Sequence, residues 1–223
     1  MRKNLLEIAC FNIASAIIAQ DAGAHRIELC DNYSVGGITP TQENIKQVIA
    51  QVTIPVFVMI RPREGDFIYN VEEFEIMKQE INWCKQNNVS GVVFGILTAE
   101  KKVDEKRCEI LVQLAQPMSC TFHRAFDEIE NSFEAIEAII RCGFHRILTS
   151  GKKTTALEGA TTIFQLKQNA NNRIIILPGG GIRPNNIAAI KEQTGAIEFH
   201  SAALDYQETA DKNIIQKMLA ILT

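Results

Sequence analysis

The sequence predicts an α/β fold, a (β/α)8 barrel of the TIM type that takes up residues 1–223 as a single domain. Three observations carry that expectation. Eight short apolar runs recur along the chain, amphipathic segments fill nearly every gap between them, and no linker or composition shift divides the 223 residues.

In order, the runs are LLEIAC, RIELC, VFVMI, GVVFGIL, MSCTF, RILTS, RIIIL and AIEFH. They read as parallel strands, because a strand covered on both faces is apolar throughout rather than alternating. Helix starts fix the phase between them. Thr39-Pro40-Thr41-Gln42 is expected to open the helix after the second strand, with Thr39 as N-cap and Pro40 at the first helical position. Asn70 with Glu73, Asn131 with Glu134 and Thr155 with Glu158 repeat the capping pattern. Gly23, Gly143 and Gly195 each close a helix shortly before a strand. An open doubly wound sheet also alternates in this way, but eight unbroken units favour closure.

Composition narrows the function classes. With 46% hydrophobic residues, 22% charged residues and a net charge of -3, the chain has no general attraction to nucleic acid or anionic lipid. The opening MRKNLLEIACFN has an apolar run broken by Glu7, unlike a signal peptide, and no stretch approaches the roughly 20 apolar residues that span a membrane. Cys10, Cys30, Cys84, Cys108, Cys120 and Cys142 form no C-x-x-C pair, so reduced thiols and a cytoplasmic location are expected. Apolar faces of the outer helices could support a homo-oligomer.

In a barrel of this kind the chemistry gathers where strands end and helices begin. The polar residues expected at that face are Glu7 and Cys10, Glu28 and Cys30, Arg61, Arg63 and Asp66, His123, Arg124 and Asp127, Thr149 and Ser150, Gly179, Gly180 and Gly181, and Glu198 and His200. Buried charges must pair, so Glu7, Glu28 and Glu198 are expected to meet Arg61 or Arg124. The glycine run after strand 7 suits an anion held by backbone N–H groups, with a companion site at Ser201 and Ala202. Arg61, Arg63 and this loop are expected to hold the anion, with His123 transferring a proton and Asp127 or Glu28 orienting its partners. Cys10 and Cys30, on adjacent strands, offer soft donors for Cu(I). His25 and His145 precede strands on the far side and read as structural.

The motifs from Ala22 to Cys30, Gly36-Gly37-Ile38-Thr39-Pro40, Met59-Ile60-Arg61-Pro62-Arg63, Phe122-His123-Arg124-Ala125-Phe126-Asp127, Thr149-Ser150-Gly151, Pro178-Gly179-Gly180-Gly181-Ile182 and Glu198-Phe199-His200 closely resemble the CutC family, in order along all eight strands. The resemblance implies a TIM-type barrel in the cytoplasm, a role in copper homeostasis, and Cu(I) binding at Cys10 and Cys30. Lys152 and Ala202 depart from the family pattern as a glycine and a serine replaced. Copper does not account for Arg61-Pro62-Arg63. Two classes of function therefore stand side by side: a Cu(I)-binding protein of copper homeostasis, and a lyase, isomerase or hydrolase acting on a small phosphorylated or carboxylated metabolite.

Overall fold

The structure is a computed structural model that describes residues 4–205 and 208–223; the other positions of the expected 1–223 domain lie outside the described residues. The eight expected strands all form: β1 (Leu5–Cys10), β2 (Arg26–Leu29), β3 (Val56–Met59), β4 (Gly91–Phe94), β5 (Ser119–Phe122), β6 (Arg146–Thr149), β7 (Ile175–Pro178) and β8 (Glu198–Ser201). Between and after them run α1 (Ile13–Asp21), α2 (Gln42–Gln51), α3 (Val71–Gln86), α4 (Glu105–Ala115), α5 (Ser132–Cys142), α6 (Ala160–Ala170), α7 (Ile187–Thr194) and α8 (Lys212–Leu222). Each strand is parallel to its sequence neighbour, β8 pairs with β1, and β7 packs against β8 to complete a nearly closed barrel.

Local chemistry sets the helix starts, with two departures from expectation. Asn70 accepts from the Glu73 amide while Glu73 accepts from the Asn70 amide, a reciprocal box that opens α3. Asn131 caps α5 as expected. The N-cap of α2, however, is Thr41 rather than Thr39, because the Thr39 hydroxyl is engaged by the Arg61 amide at 2.8 Å. Thr155 and Glu158 do form their reciprocal pair, but it closes a turn ahead of α6, whose N-cap is Gly159.

Side-chain alternation separates two interiors. Leu6, Ile8, Ile27, Val58, Phe94 and Phe122 point outward and pack under the helices, where Phe144 is tilted against Phe94 and edge-on to Phe122. Burying one such side chain contributes about 1.5–3 kcal/mol. Inside the barrel, Phe57 fills the space left by Gly91, where a Cβ would come within 2.6 Å of the ring. The Arg26 and Arg146 guanidinium groups stand 4.7 and 5.3 Å from the Phe57 ring centre, so the floor of the interior is already ionic. His25 and His145 accept hydrogen bonds from the Leu6 and Cys120 amides, consistent with structural roles.

Candidate functional site

Charge inside the barrel is arranged in two layers. In the deeper one, Arg26 at the start of β2 pairs with Glu7 and, at 2.8 Å, with Glu198. Arg146 at the start of β6 bonds Glu198 at 2.9 Å and the Ser119 hydroxyl at 2.7 Å. Glu198 therefore belongs to this floor and not to the mouth, since it opens β8 rather than ending it. Glu7, Glu28 and Glu198 do not meet Arg61 or Arg124 as expected: Glu7 pairs with Arg26, Glu198 with Arg26 and Arg146, and Glu28 faces His200. Those two arginines were legible in principle: Arg26 lies two residues before Glu28 and Arg146 two before Leu148, so each shares the inward face of its strand.

Above the floor stands a chain of three groups. Glu7 accepts at 2.7 Å from Nδ1 of His200, whose Nε2 lies 3.8 Å from Glu28. Burial alone would raise the Glu7 pKa, but Arg26 and His200 hold it down to about 2. Glu28 is pushed up by burial and by the Glu7 charge, against the pull of His200. Burial alone would lower the His200 pKa, yet Glu28 and Glu7 carry it above the usual histidine value. One Glu28 oxygen accepts from the Cys30 thiol at 3.4 Å, and the other is buried without a partner.

The mouth holds a cavity of 280 Å³. Of the expected site residues, Glu28, Arg61, His123, Arg124, Gly180, Gly181, His200, Ser201 and Ala202 line it, joined by Arg183, Tyr33 and Phe67. His123 directly follows β5 and is held neutral, its pKa lowered to about 3 by burial and by nearby Arg61. Its Nδ1 accepts from the Ala125 amide, which leaves the proton on Nε2, and that atom is buried without a partner. Arg61 is buried and donates to the carbonyls of Val35, Gly37 and Gly65 at 2.9, 2.9 and 2.8 Å, with its plane over Phe67. Gly180 takes a φ of +103°, and its missing side chain leaves room for Ser150 and Arg124 beside the backbone.

The remaining expected residues lie elsewhere. Arg63 turns outward to Asp66 and Glu73, at 2.9 and 2.6 Å, in an exposed loop. Asp127 anchors the loop after β6, accepting from Thr149, from Ser150 and from the Lys152 amide, and pairs with Arg124 at 2.9 Å. Thr149, Ser150 and Gly179 sit behind the cavity wall as supports. Arg183 is the mouth residue that sequence reading missed; its signal was its place two residues beyond the glycine run.

A Cu(I) site at Cys10 and Cys30 fits poorly. The strands are neighbours, with the Cys30 amide bonded to the Cys10 carbonyl, but the side chains leave opposite faces of the sheet. Cys10 packs under the helices with Leu6 and Ile8, and Cys30 packs inside with Phe57 and Met59. Burial pushes both thiols far above their ordinary pKa, which disfavours the thiolates a soft ion needs. Among the described residues the donors that do converge are Glu7, Glu28 and His200, within 4.8 Å of one another. Carboxylate and imidazole donors suit harder divalent ions than Cu(I).

A family model, described as the CutC family, matches residues 4–205. The chain belongs to the CutC family. It is 43% identical over 208 residues to the copper homeostasis protein cutC homolog of Homo sapiens, covering 93% of this chain and 76% of that one. A CutC protein from Chromobacterium violaceum is 42% identical over 199 residues, 89% of this chain and 81% of its own length. The CutC crystal structure from Streptococcus agalactiae superposes with a TM-score of 0.84 at 35% identity, covering 89% and 98% of the two chains. A phosphoribosylanthranilate isomerase structure from Thermotoga maritima, at 12% identity and a TM-score of 0.65, shares the barrel fold alone. As a CutC family member the chain thus combines a copper homeostasis label with a mouth built from arginine, histidine and carboxylate.

Proposed function

We propose that this CutC family barrel is an enzyme that moves a proton on a small phosphorylated or carboxylated metabolite. One observation carries the reading: three residues of the cavity wall each keep a buried polar atom without a protein partner, an oxygen of Glu28, Nε2–H of His123 and Nε–H of Arg61. Buried polar groups are normally paired, and an orphaned acceptor and orphaned donors in one pocket leave room for a ligand that supplies their partners.

The chemistry follows from the ionisation states. Glu28, raised by burial, is the base whose proton can come and go closer to working pH. It takes a proton from the carbon beside a carbonyl; the C–H electron pair moves into the C–C bond and the carbonyl pair onto oxygen. The neutral His123 donates Nε2–H to that oxyanion, as a ring with a pKa of about 3 donates without itself losing a proton. On a substrate whose attacked carbon carries a hydroxyl, that hydroxyl's proton passes to the former carbonyl oxygen; the C=C pair then takes the proton back from Glu28 at the former carbonyl carbon while the second oxygen's pair forms the new C=O, which completes an isomerisation. Glu7 and His200, whose pKa its two carboxylate neighbours raise, keep the Glu28 proton balanced, with the Glu7 charge fixed in turn by Arg26. A cytosolic location belongs to the same proposal, supported by six free cysteines.

The test is exchange of substrate C–H for C–D in heavy water, followed by NMR across a panel of phosphorylated sugars and keto acids. Exchange by the wild type and its loss in Glu28→Gln supports the reading. Absence of exchange throughout the panel overturns it. Cu(I) binding, which the family name supports, is the competing reading. It is settled by anaerobic competition titration: tight binding lost in Cys10→Ser with Cys30→Ser would establish it, and unchanged affinity would remove it.

A further inference from the structure

Seven arginines of the described chain, Arg26, Arg63, Arg107, Arg124, Arg141, Arg146 and Arg173, each hold a carboxylate within ion-pair distance. Among the described residues, Arg61 and Arg183 hold none, and both line the mouth cavity. Chance placement of unpaired cations would favour the solvent surface, where water compensates the charge. Arg61 is instead 6% exposed. Three of its five N–H donors go to backbone carbonyls, which carry no net charge, and its Nε finds no partner. Arg183 is part-buried and donates only to the Ile182 carbonyl at 2.9 Å and the Ser201 hydroxyl at 3.2 Å.

Their positions in the ring matter as much as their charge. Arg61 follows β3 and Arg183 follows β7, four strands apart in either direction around the barrel, so they occupy opposite walls. Glu28 and His200, from β2 and β8, stand at the mouth with them, as does His123 directly after β5. A cation withdrawn from water needs a counter-charge, so each of the two opposed walls calls for an anionic group of its own. The cavity of 280 Å³ is at the small end for ligand pockets, which limits the body between the two poles to a short carbon skeleton.

We infer that the mouth binds a short metabolite with an acidic group at each end, one pole at Arg183 beside Gly180 and Gly181, the other at Arg61. The Arg183 pole, with its flanking glycine backbone, takes a phosphate. The Arg61 pole, with its remaining donors, takes a carboxylate or a second phosphate. This rests on the proton-transfer reading for the role of the carbon between the poles, but not for the binding itself.

The experiment is isothermal titration with matched probes: glycerol 3-phosphate, glycerate, 3-phosphoglycerate and propane-1,3-diol bisphosphate. The expected result is that at least one two-pole probe binds ten-fold or more tighter than either single-pole probe, the carboxylate and phosphate arms showing which group Arg61 prefers. Arg61→Met and Arg183→Met should each reduce that probe to single-pole affinity, and Arg61→Lys, which keeps the charge, should retain part of the preference and guard against misfolding. Equal affinity for one and two poles in the wild type overturns the inference, as does a preference that survives both Met substitutions or the failure of every two-pole probe to bind. Two-pole binding without C–D exchange would sink the proton-transfer reading and leave this one standing; exchange on a single-pole substrate at undiminished rate would do the reverse.

Discussion

The floor and the mouth of the barrel contain the same residue types in opposite states. At the floor, Glu7, Arg26, Glu198 and Arg146 satisfy one another through short ion pairs. One layer higher, Arg61 and Arg183 lack a carboxylate, and Glu28 and His123 keep atoms that no protein group reaches. Burial is common to both layers, so burial alone does not separate a structural charge from a working one. Pairing does: a closed set of charges holds a fold, and an open set beside a cavity awaits a ligand.

The comparison breaks most readily at the floor. Arg26→Met would leave Glu7 with His200 alone and Glu198 with Arg146 alone in the interior, and a loss of roughly 3–5 kcal/mol in denaturant-measured stability is expected. A loss under 1 kcal/mol would mean that the floor is solvated and the contrast false. At the mouth, Glu28→Gln should instead leave stability level or raised, because it removes a buried carboxylate that nothing fully compensates. Its effect should fall on C–D exchange, slowed by roughly 10²–10⁴-fold.

Acid titration sharpens the same contrast. The unfolded chain protonates His123 near 6.5 and Glu7 near 4.5, whereas the native groups resist to about 3 and about 2. Between those limits the unfolded state binds more protons, so stability falls as pH falls. The mouth contribution should fade from pH 6.5 downward and the floor contribution from 4.5 downward. Denaturation midpoints against pH should show His123→Gln shrinking the earlier phase, to which His145 also contributes, and sparing the later one. Glu28 and His200, whose native pKa values are raised, act with the opposite sign and remove stability as pH rises through them. The smallest effect is expected at Arg63→Ala, whose pairs with Asp66 and Glu73 lie in an exposed loop. A change below about 1 kcal/mol and undiminished ligand binding would separate this outer arginine from Arg61, two residues away.

The barrel itself was readable because it repeats. Eight apolar runs, capping residues such as Asn70 and Asn131, and Gly143 and Gly195 at helix ends are local signals, and local signals survive in a linear text. The same rhythm brought His123, Arg124, Glu28, Arg61 and His200 to one face. Thr39 shows where local reading stops, since its competence as a cap was overridden by an amide from the next strand.

By itself, then, the sequence determined the fold, the face at which polar residues gather and the family. Tertiary structure decided which charges are already spoken for. Arg61 and Arg63 are alike in the chain, yet one points into the mouth and the other into a surface loop. Cys10 and Cys30 are neighbours by strand, yet pleating sends their thiols to opposite faces. Glu198 and His200 share a face, yet one is claimed by Arg26 and Arg146 from distant strands. Such pairings depend on the closure of the barrel, which brings together residues as far apart as Glu7 and His200, and no local pattern encodes the partner a buried charge will find.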